Sequence, residues 1–593
     1  MIRLFYDTFC LFNFFVFSLI FLRGTTQAHQ IYTSVADLPG LSYDFVVVGG
    51  GTAGLVIANR LTEQPGVSVL VLEAGVSHRG VLAAQVPYLV GDLLGTGPYS
   101  WNYTTTPQRG LQNRTLEYFR AHLVGGCSSH NGMFWTRGSR DDWDRYASVT
   151  GDGGWSWNAM FPYFLKSERW TAPADNHSTI GEFNPYVHDI RTHATGLEQG
   201  TGVKISLNGY QWPVYSDMIV KVARSLNDFP FNLDMNSGVP LGFGYLQSSV
   251  GGGERSSSAT GYLDSLRRKN LHVLIGARAT VLSQPYRTNG KPGFRGVDFT
   301  LANERYTAFA KKEIILSAGS IGTPSILLYS GIGPASELSS LGISVLVNNP
   351  SVGKNITDQP YMPVSFHANF NFTLDDLASN QTAWQLGLKE WNQTRRGPFV
   401  AFGPTHIAWL RFDPGSPALK TKDTTAGPDS PHIELFFSPG QADFGAKPGH
   451  FITAGVVAVS PASRGQISLS SSNPLSDPVV DLGLLSDPHD VQILGAAVNK
   501  AYEFFAAPAW ADIIGEPTED LLVLTTSELE THIRKKTTPS FHLVGGAAMG
   551  SVVASNLLLK DVFGPFIPSA HTQAAVFAIA ERAADLIKGA CFP

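Results

Sequence analysis

A chain of 593 residues is about four times the length of one typical domain, so two or more closely built domains are expected. Its 43% hydrophobic and 15% charged residues, with 60 glycines and 36 prolines, describe a loop-rich globular enzyme with ample core. A net charge of -5 argues against nucleic acid or an anionic membrane surface as partner, and three cysteines without ligand spacing exclude a disulfide scaffold and any metal site of the zinc or iron–sulfur type.

The N-terminus reads as a targeting segment. Arg3 precedes an apolar run over 9–22, and Thr26-Gln27-Ala28 is a small-x-small cleavage site, which predicts a signal peptide over 1–28 and a secreted product. A membrane anchor is the alternative, for which the run is short. Cys10 falls in this segment, leaving Cys127 and Cys591. Sequons at Asn102, Asn113, Asn176, Asn355, Asn371, Asn380 and Asn392 fit secretion, and the crowding of the last three predicts an exposed polar excursion over 371–394.

Residues 45–48 form an apolar run with the character of a buried parallel strand. Gly49-x-Gly51-x-x-Gly54 follows, enclosing Thr52 and Ala53, and then a helical pattern over 55–61. A second apolar run over 67–72 ends at Glu73, 19 residues past Gly54. In this context Gly49 permits the tight turn, Gly51 lets a pyrophosphate approach the backbone, and Gly54 lets helix and strand pack closely. The helix N-terminus faces the phosphates, and an acid at Glu73 can accept hydrogen bonds from a ribose. The order strand, turn, helix, strand, Glu predicts a dinucleotide site. A plain glycine turn between core strands would leave Glu73 unexplained.

Further strand signals lie at 272–282, 296–301 and 313–317, the last leading into a helical stretch over 323–329. The dinucleotide-binding sheet is therefore expected to assemble from distant parts of the chain. Residues 350–460 alternate strands, such as 406–412 and 432–437, with Pro/Gly punctuation, and read as a separate sheet-containing region covering the active site. Helical periodicity returns over 574–588.

Three further segments carry a family likeness. They are Gly125-Gly126-Cys127-Ser128-Ser129-His130-Asn131-Gly132-Met133, the stretch from Gly319-Ser320-Ile321-Gly322 to Gly331-Ile332-Gly333, and the pair Phe541-His542-Leu543 and Ala570-His571-Thr572-Gln573. With them the chain resembles the glucose–methanol–choline (GMC) oxidoreductases from about residue 40 to residue 588. Ser100-Trp101-Asn102-Tyr103, Glu254-Arg255-Ser256-Ser257 and Asn348-Asn349-Pro350-Ser351 are most similar to fungal pyranose dehydrogenases, and aryl-alcohol oxidases share many of these residues.

The resemblance implies FAD and an α/β (α+β) fold, in which a Rossmann-like FAD-binding domain is interleaved in sequence with a sheet-containing substrate domain. The implied regions are 40–334 for the N-terminal FAD-binding part, 335–454 for the substrate part, and 455–588 for the C-terminal part with the catalytic histidines, which also completes the FAD sheet. Oxidising an alcohol removes a proton from oxygen and a hydride from carbon, and histidine suits the first task. By resemblance His542 is the general base and His571 hydrogen-bonds the substrate oxygen. Outside that context either histidine would read as structural.

The cofactor set implied is Gly49, Gly51, Thr52, Ala53, Gly54, Glu73, Gly126, His130, Asn131, Gly132, Met133 and Val281. His130 is expected to be joined covalently to the flavin 8α-methyl, with non-covalent packing as the alternative, and the Val281 backbone to meet the adenine. Cys127 reads as a small turn residue rather than a nucleophile. His406 and Trp409 either line the substrate entrance or are strand residues of the covering sheet.

The expected protein is a secreted monomer that oxidises a sugar hydroxyl and passes electrons to quinone-like acceptors. Alternatives are an aryl-alcohol oxidase using oxygen, a flavin-containing hydroxynitrile lyase, and an inactive relative. The last arises because His571 follows His542 by only 29 residues, where relatives carry a longer stretch with a cofactor-binding aspartate. Asp561 stands one residue out of register with that aspartate, which leads to an expectation of weakened FAD binding. The first basic residue of the usual Arg-x-x-x-Gly-Gly pattern is also displaced: His122 is nearby, with Arg120 two residues earlier.

Overall fold

The computed structural model describes residues 31–95, 97–188, 201–265, 267–288, 291–441, 448–549 and 566–591. The signal-peptide expectation and Asp561 lie outside them.

Ser42–Val48 and Val69–Glu73 are strands, joined by the helix Thr52–Leu61. They form the centre of a seven-stranded sheet, ordered Ile31–Tyr32, Leu271–Ile275, Val69–Glu73, Ser42–Val48, Glu304–Leu316, Lys291–Leu301, Arg278–Thr288. The first five are mutually parallel, and the last two add as antiparallel hairpin strands. Parallel strands covered on both faces need apolar residues throughout, and Phe45, Val46, Val47, Val69, Leu70 and Val71 are all fully buried. The C-terminal helix Gln573–Cys591 packs on one face against Thr52–Leu61. The buried pair Arg60–Glu581, 2.6 Å apart, locks the two helices together.

A second sheet is antiparallel throughout. Its order is Ile514–Pro517, Pro360–Ala368, Phe451–Ala458, Ile433–Ser438, His406–Leu410, Gly242–Tyr245, with Thr538–Pro539 added beside Pro360–Ala368. It draws its edge strands from far outside 335–454. The helix Pro488–Phe505 covers one face, burying Ile433, Leu435 and Phe437. Strand alternation turns Glu434, Phe436 and Ser438 the other way, toward the first sheet.

The excursion expected over 371–394 is more ordered than its polarity suggests. It forms two helices, Leu374–Ser379 and Gln381–Thr394, N-capped by Thr373 and by the sequon residue Asn380. Leu374, Leu377 and Trp391 anchor them in the core, while all seven sequon asparagines are exposed.

Candidate active site

A cavity of about 1250 Å³ lies between the C-terminal ends of the first sheet's strands and the inner face of the second. It exceeds the roughly 300–1000 Å³ typical of a small-ligand pocket, so it has room for a large cofactor and a substrate together. Gly49, Gly51, Thr52, Ala53, Glu73, Gly126, His130, Asn131, Gly132 and Met133 line it, as do His542 and His571.

Two expected residues do not. Gly54 is buried behind the turn, where a Cβ would meet the Gly49 carbonyl oxygen at 2.0 Å, so its work is the close packing of helix on strand. Val281 lies just past a break in strand register between Ala279 and Val281, and Ala279 and Thr280 line the cavity in its place.

The helix Thr52–Leu61 begins at Gly51, with no side chain capping its first N–H groups. An uncapped N-terminus opening on a cavity is an anion site by construction. Glu73 accepts from the backbone N–H of Gly50 and of Gly75, each at 2.7 Å. Burial pushes its carboxyl up to about 7 against those two hydrogen bonds. Each of its oxygens keeps a lone pair for a further donor. This set fits a dinucleotide: phosphates at the helix, hydroxyls at the acid.

At the other end the histidines meet. Residues 538–544 run antiparallel to 357–361, with Ser540 N–H donating to Gln359 O at 2.8 Å and Val544 N–H to Thr357 O at 3.1 Å. This pairing sets His542 beside Gln359. The Gln359 amide donates from Nε2 to the Val459 carbonyl at 2.8 Å, so its Oε1 faces His542 Nδ1 at 2.7 Å. An amide oxygen only accepts, so Nδ1 carries the proton and Nε2 is left as the basic nitrogen. Burial, with His571 and Arg120 nearby, holds the His542 pKa well below the usual histidine value, so the ring is neutral. Phe541, one residue earlier, has a φ of +62°, a strained conformation for a bulky residue, held by ring contacts to Tyr118 and Phe119.

His571 stands 4.6 Å from His542, ring centre to ring centre, nearly perpendicular. Its Nε2 donates to Glu434 Oε1 at 2.7 Å, and Phe134 stacks on it at 4.1 Å. Gln359 and Glu434 were missed in the sequence. A lone acid in the apolar run 432–437 was the available signal for Glu434.

Arg120 lines the cavity, donating to the Tyr118 hydroxyl at 2.9 Å and to the Phe541 carbonyl, while the Tyr118 hydroxyl donates to Asp358 at 2.5 Å. His122 turns away, hydrogen-bonded to Pro98 O at 3.0 Å. Cys127 lines the cavity with Arg120 Nη1 3.8 Å from its sulfur.

His406 and Trp409 belong to the covering sheet and do not line the cavity, because both side chains are packed inside the protein. His406 is 3% exposed and stacks on Phe243; Trp409 is fully buried behind His571.

The family model for GMC oxidoreductases matches residues 43–361 in its N-terminal part and residues 461–580 in its C-terminal part. The chain belongs to the GMC oxidoreductase family. It is an FAD-dependent oxidoreductase acting on CH–OH donors. A pyranose dehydrogenase of Agaricus campestris is 37% identical, over 97% of this chain and 99% of the relative. An FAD-dependent oxidoreductase from Chaetomium thermophilum superposes with a TM-score of 0.80 at 30% identity, covering 92% of this chain and 99% of that one. A fungal aryl-alcohol oxidase gives 0.79 at 25% identity, covering 93% and 99%.

Proposed function

We propose that this GMC oxidoreductase oxidises a pyranose hydroxyl and delivers the electrons to a quinone-like acceptor. The observation that carries the chemistry is the fixed tautomer of His542, whose basic Nε2 shares one cavity with His571 and the dinucleotide turn. Similarity to pyranose dehydrogenases along nearly the whole chain supports the substrate class.

FAD supplies the hydride acceptor. The chain supplies the rest. His542 Nε2 takes the hydroxyl proton as the carbon–hydrogen bond weakens, and Gln359 steadies the ring while it becomes an imidazolium. Glu434 and Phe134 fix His571, which orients the substrate oxygen. Tyr361 and Phe436, stacked on the second sheet, help close the cavity to water.

The cavity wall also favours a second reading. Tyr88, Trp384, Phe402 and Phe436 line it, a surface suited to an aromatic ring. An aryl alcohol with oxygen as acceptor is the alternative. Anaerobic mixing of the purified protein with glucose or with anisyl alcohol, followed by benzoquinone or oxygen, separates the readings. Bleaching by glucose and recovery with benzoquinone is the expected result. Turnover without bleaching would point to a lyase, and bleaching by anisyl alcohol alone to the aryl-alcohol reading.

Secretion belongs to the same reading. The signal-like N-terminus and the exposure of every sequon asparagine support it. The mature product is expected to start near His29 and carry N-glycans. Intact mass and N-terminal sequencing check this; a retained apolar leader without glycan mass would refute it.

A further inference from the structure

Among the described residues, each buried arginine except Arg255 meets an acid, and the half-buried Arg120 is coupled to one. Arg60 meets Glu581 at 2.6 Å and Arg137 meets Glu168 at 2.7 Å. Arg120 is linked through the Tyr118 hydroxyl to Asp358. Arg255 is different. It lies on the short strand Glu254–Arg255, paired antiparallel with Val250–Gly251, and is 3% exposed. Its Nη1 donates to Asn131 O at 2.6 Å and to Asn131 Oδ1 at 3.1 Å, with Ser128 O at 3.5 Å. Its Nε and Nη2 have no partner among the described residues. The neighbouring acid, Glu254, is committed elsewhere, to Arg395 at 2.6 Å and Gln85 at 3.0 Å.

A buried cation without a counter-charge is costly. Burial lowers its pKa to about 9, which still leaves it charged at neutral pH. Its field reaches the cavity wall: after burial itself, Arg255 is the next cause that lowers the pKa of His130, to about 4. The carbonyls it holds flank His130, and the segment carrying them lines the cavity. A positive charge fixed there is compensated when negative charge develops in the cavity.

We propose that Arg255 is a positioning residue for the flavin, an unneutralised buried cation that holds the Ser128–Asn131 segment from behind and raises the reduction potential of the bound FAD by favouring its anionic reduced form. The inference rests on the assignment of this cavity to FAD. Arg255→Met removes the charge and keeps much of the length; Arg255→Lys keeps the charge and loses the fork.

The experiment equilibrates each purified holoprotein anaerobically with reference dyes and reads the flavin midpoint potential, with thermal stability measured in parallel. R255M is expected to shift the two-electron equilibrium toward oxidised flavin about tenfold, a potential about 30 mV lower. R255K is expected to stay within about twofold of the unmodified protein, because a like charge remains. An unchanged potential in folded R255M overturns the proposal. An equal drop in both variants also overturns it, by tracing the effect to lost hydrogen bonds. If R255M does not fold, R255Q replaces it. Failure of both neutral variants beside a normal R255K assigns the charge to chain stability and overturns the cofactor role. An unmodified protein with no flavin absorbance refutes the FAD assignment instead, and is recognised before any variant is compared.

Discussion

A general base has to be neutral and in the right tautomer before the substrate arrives, and for His542 both conditions are met by its neighbours. Gln359 dictates the tautomer, and burial with His571 and Arg120 keeps the second proton off. His542→Ala should therefore slow flavin reduction by a factor on the order of 10²–10⁴, the typical value of general-base catalysis. His571→Ala should do much less. Because the His542 pKa is held down, the reduction rate should stay flat as pH falls through 6.5, where an ordinary histidine protonates, and drop only in more acidic solution. Stopped-flow reduction across pH is the measurement. Equal small losses in both variants, or an inflection at an ordinary histidine value, would reassign the base. The two histidines were legible because each sits in a family motif. Their partners were not: Gln359 is 183 residues from His542 and Glu434 is 137 from His571, and pairing at that range is set by sheet topology rather than by local pattern.

At the scale of elements, the sequence was most readable where one strand is buried on both faces. The runs at 45–48 and 67–72 appear as Ser42–Val48 and Val69–Glu73 with little change. It was least readable where irregular geometry enters: the break in register between Ala279 and Val281, beside which Ala279 and Thr280 rather than Val281 line the cavity, has no glycine or proline within it to announce it. The shortened stretch between the histidines falls partly outside the described residues, but both of its ends are anchored. Val544 bridges Thr357, and Gly546 O accepts from Gly353 N–H at 2.7 Å. On the far side Ser569 N–H donates to Asp142 at 2.8 Å and His571 N–H to Thr136 at 2.8 Å. Both histidines are therefore held by contacts outside the undescribed part of the stretch, and the expectation for Asp561, one residue out of register, lies within that part. The expected outcome is catalytic geometry with incomplete cofactor loading. After acid precipitation the flavin should stay with the protein, through His130, at a ratio below one per chain. A yellow supernatant would contradict the linkage, and one tightly held FAD per chain would contradict the loading deficit.

Taken as a whole, the molecule interleaves two sheets so thoroughly that polar residues from distant segments end in dry surroundings, and this sets its response to acid. His130, His406 and His432 are pushed to about 4, 3 and 4, first by burial, and His542 moves the same way. Between pH 6.5 and those values the unfolded chain binds protons that the folded chain refuses, so stability is lost as pH falls. Each such histidine contributes about 1.4 kcal/mol per pH unit within its window. Glu73 works in the opposite sense: with its carboxyl raised to about 7, the folded chain takes up the proton first and gains stability on acidification. His188, raised by Glu168 and Asp234 in spite of its burial, also favours the folded state at low pH. Asp142, Asp358 and Asp375, raised by burial, and His177, raised by Glu182 and Asp175, act in the same sense. These six are outnumbered by eight depressed histidines, because burial also lowers His122, His272, His489 and His532. The thermal midpoint should accordingly fall from pH 6.5 to pH 4.5, before the lowered carboxylates Glu168 and Asp423, both near 2, begin to protonate. Scanning fluorimetry across that range decides it. A flat or rising midpoint would mean that the buried histidines are hydrated in solution, and the dry packing around His406 and His432 would have to be given up with it.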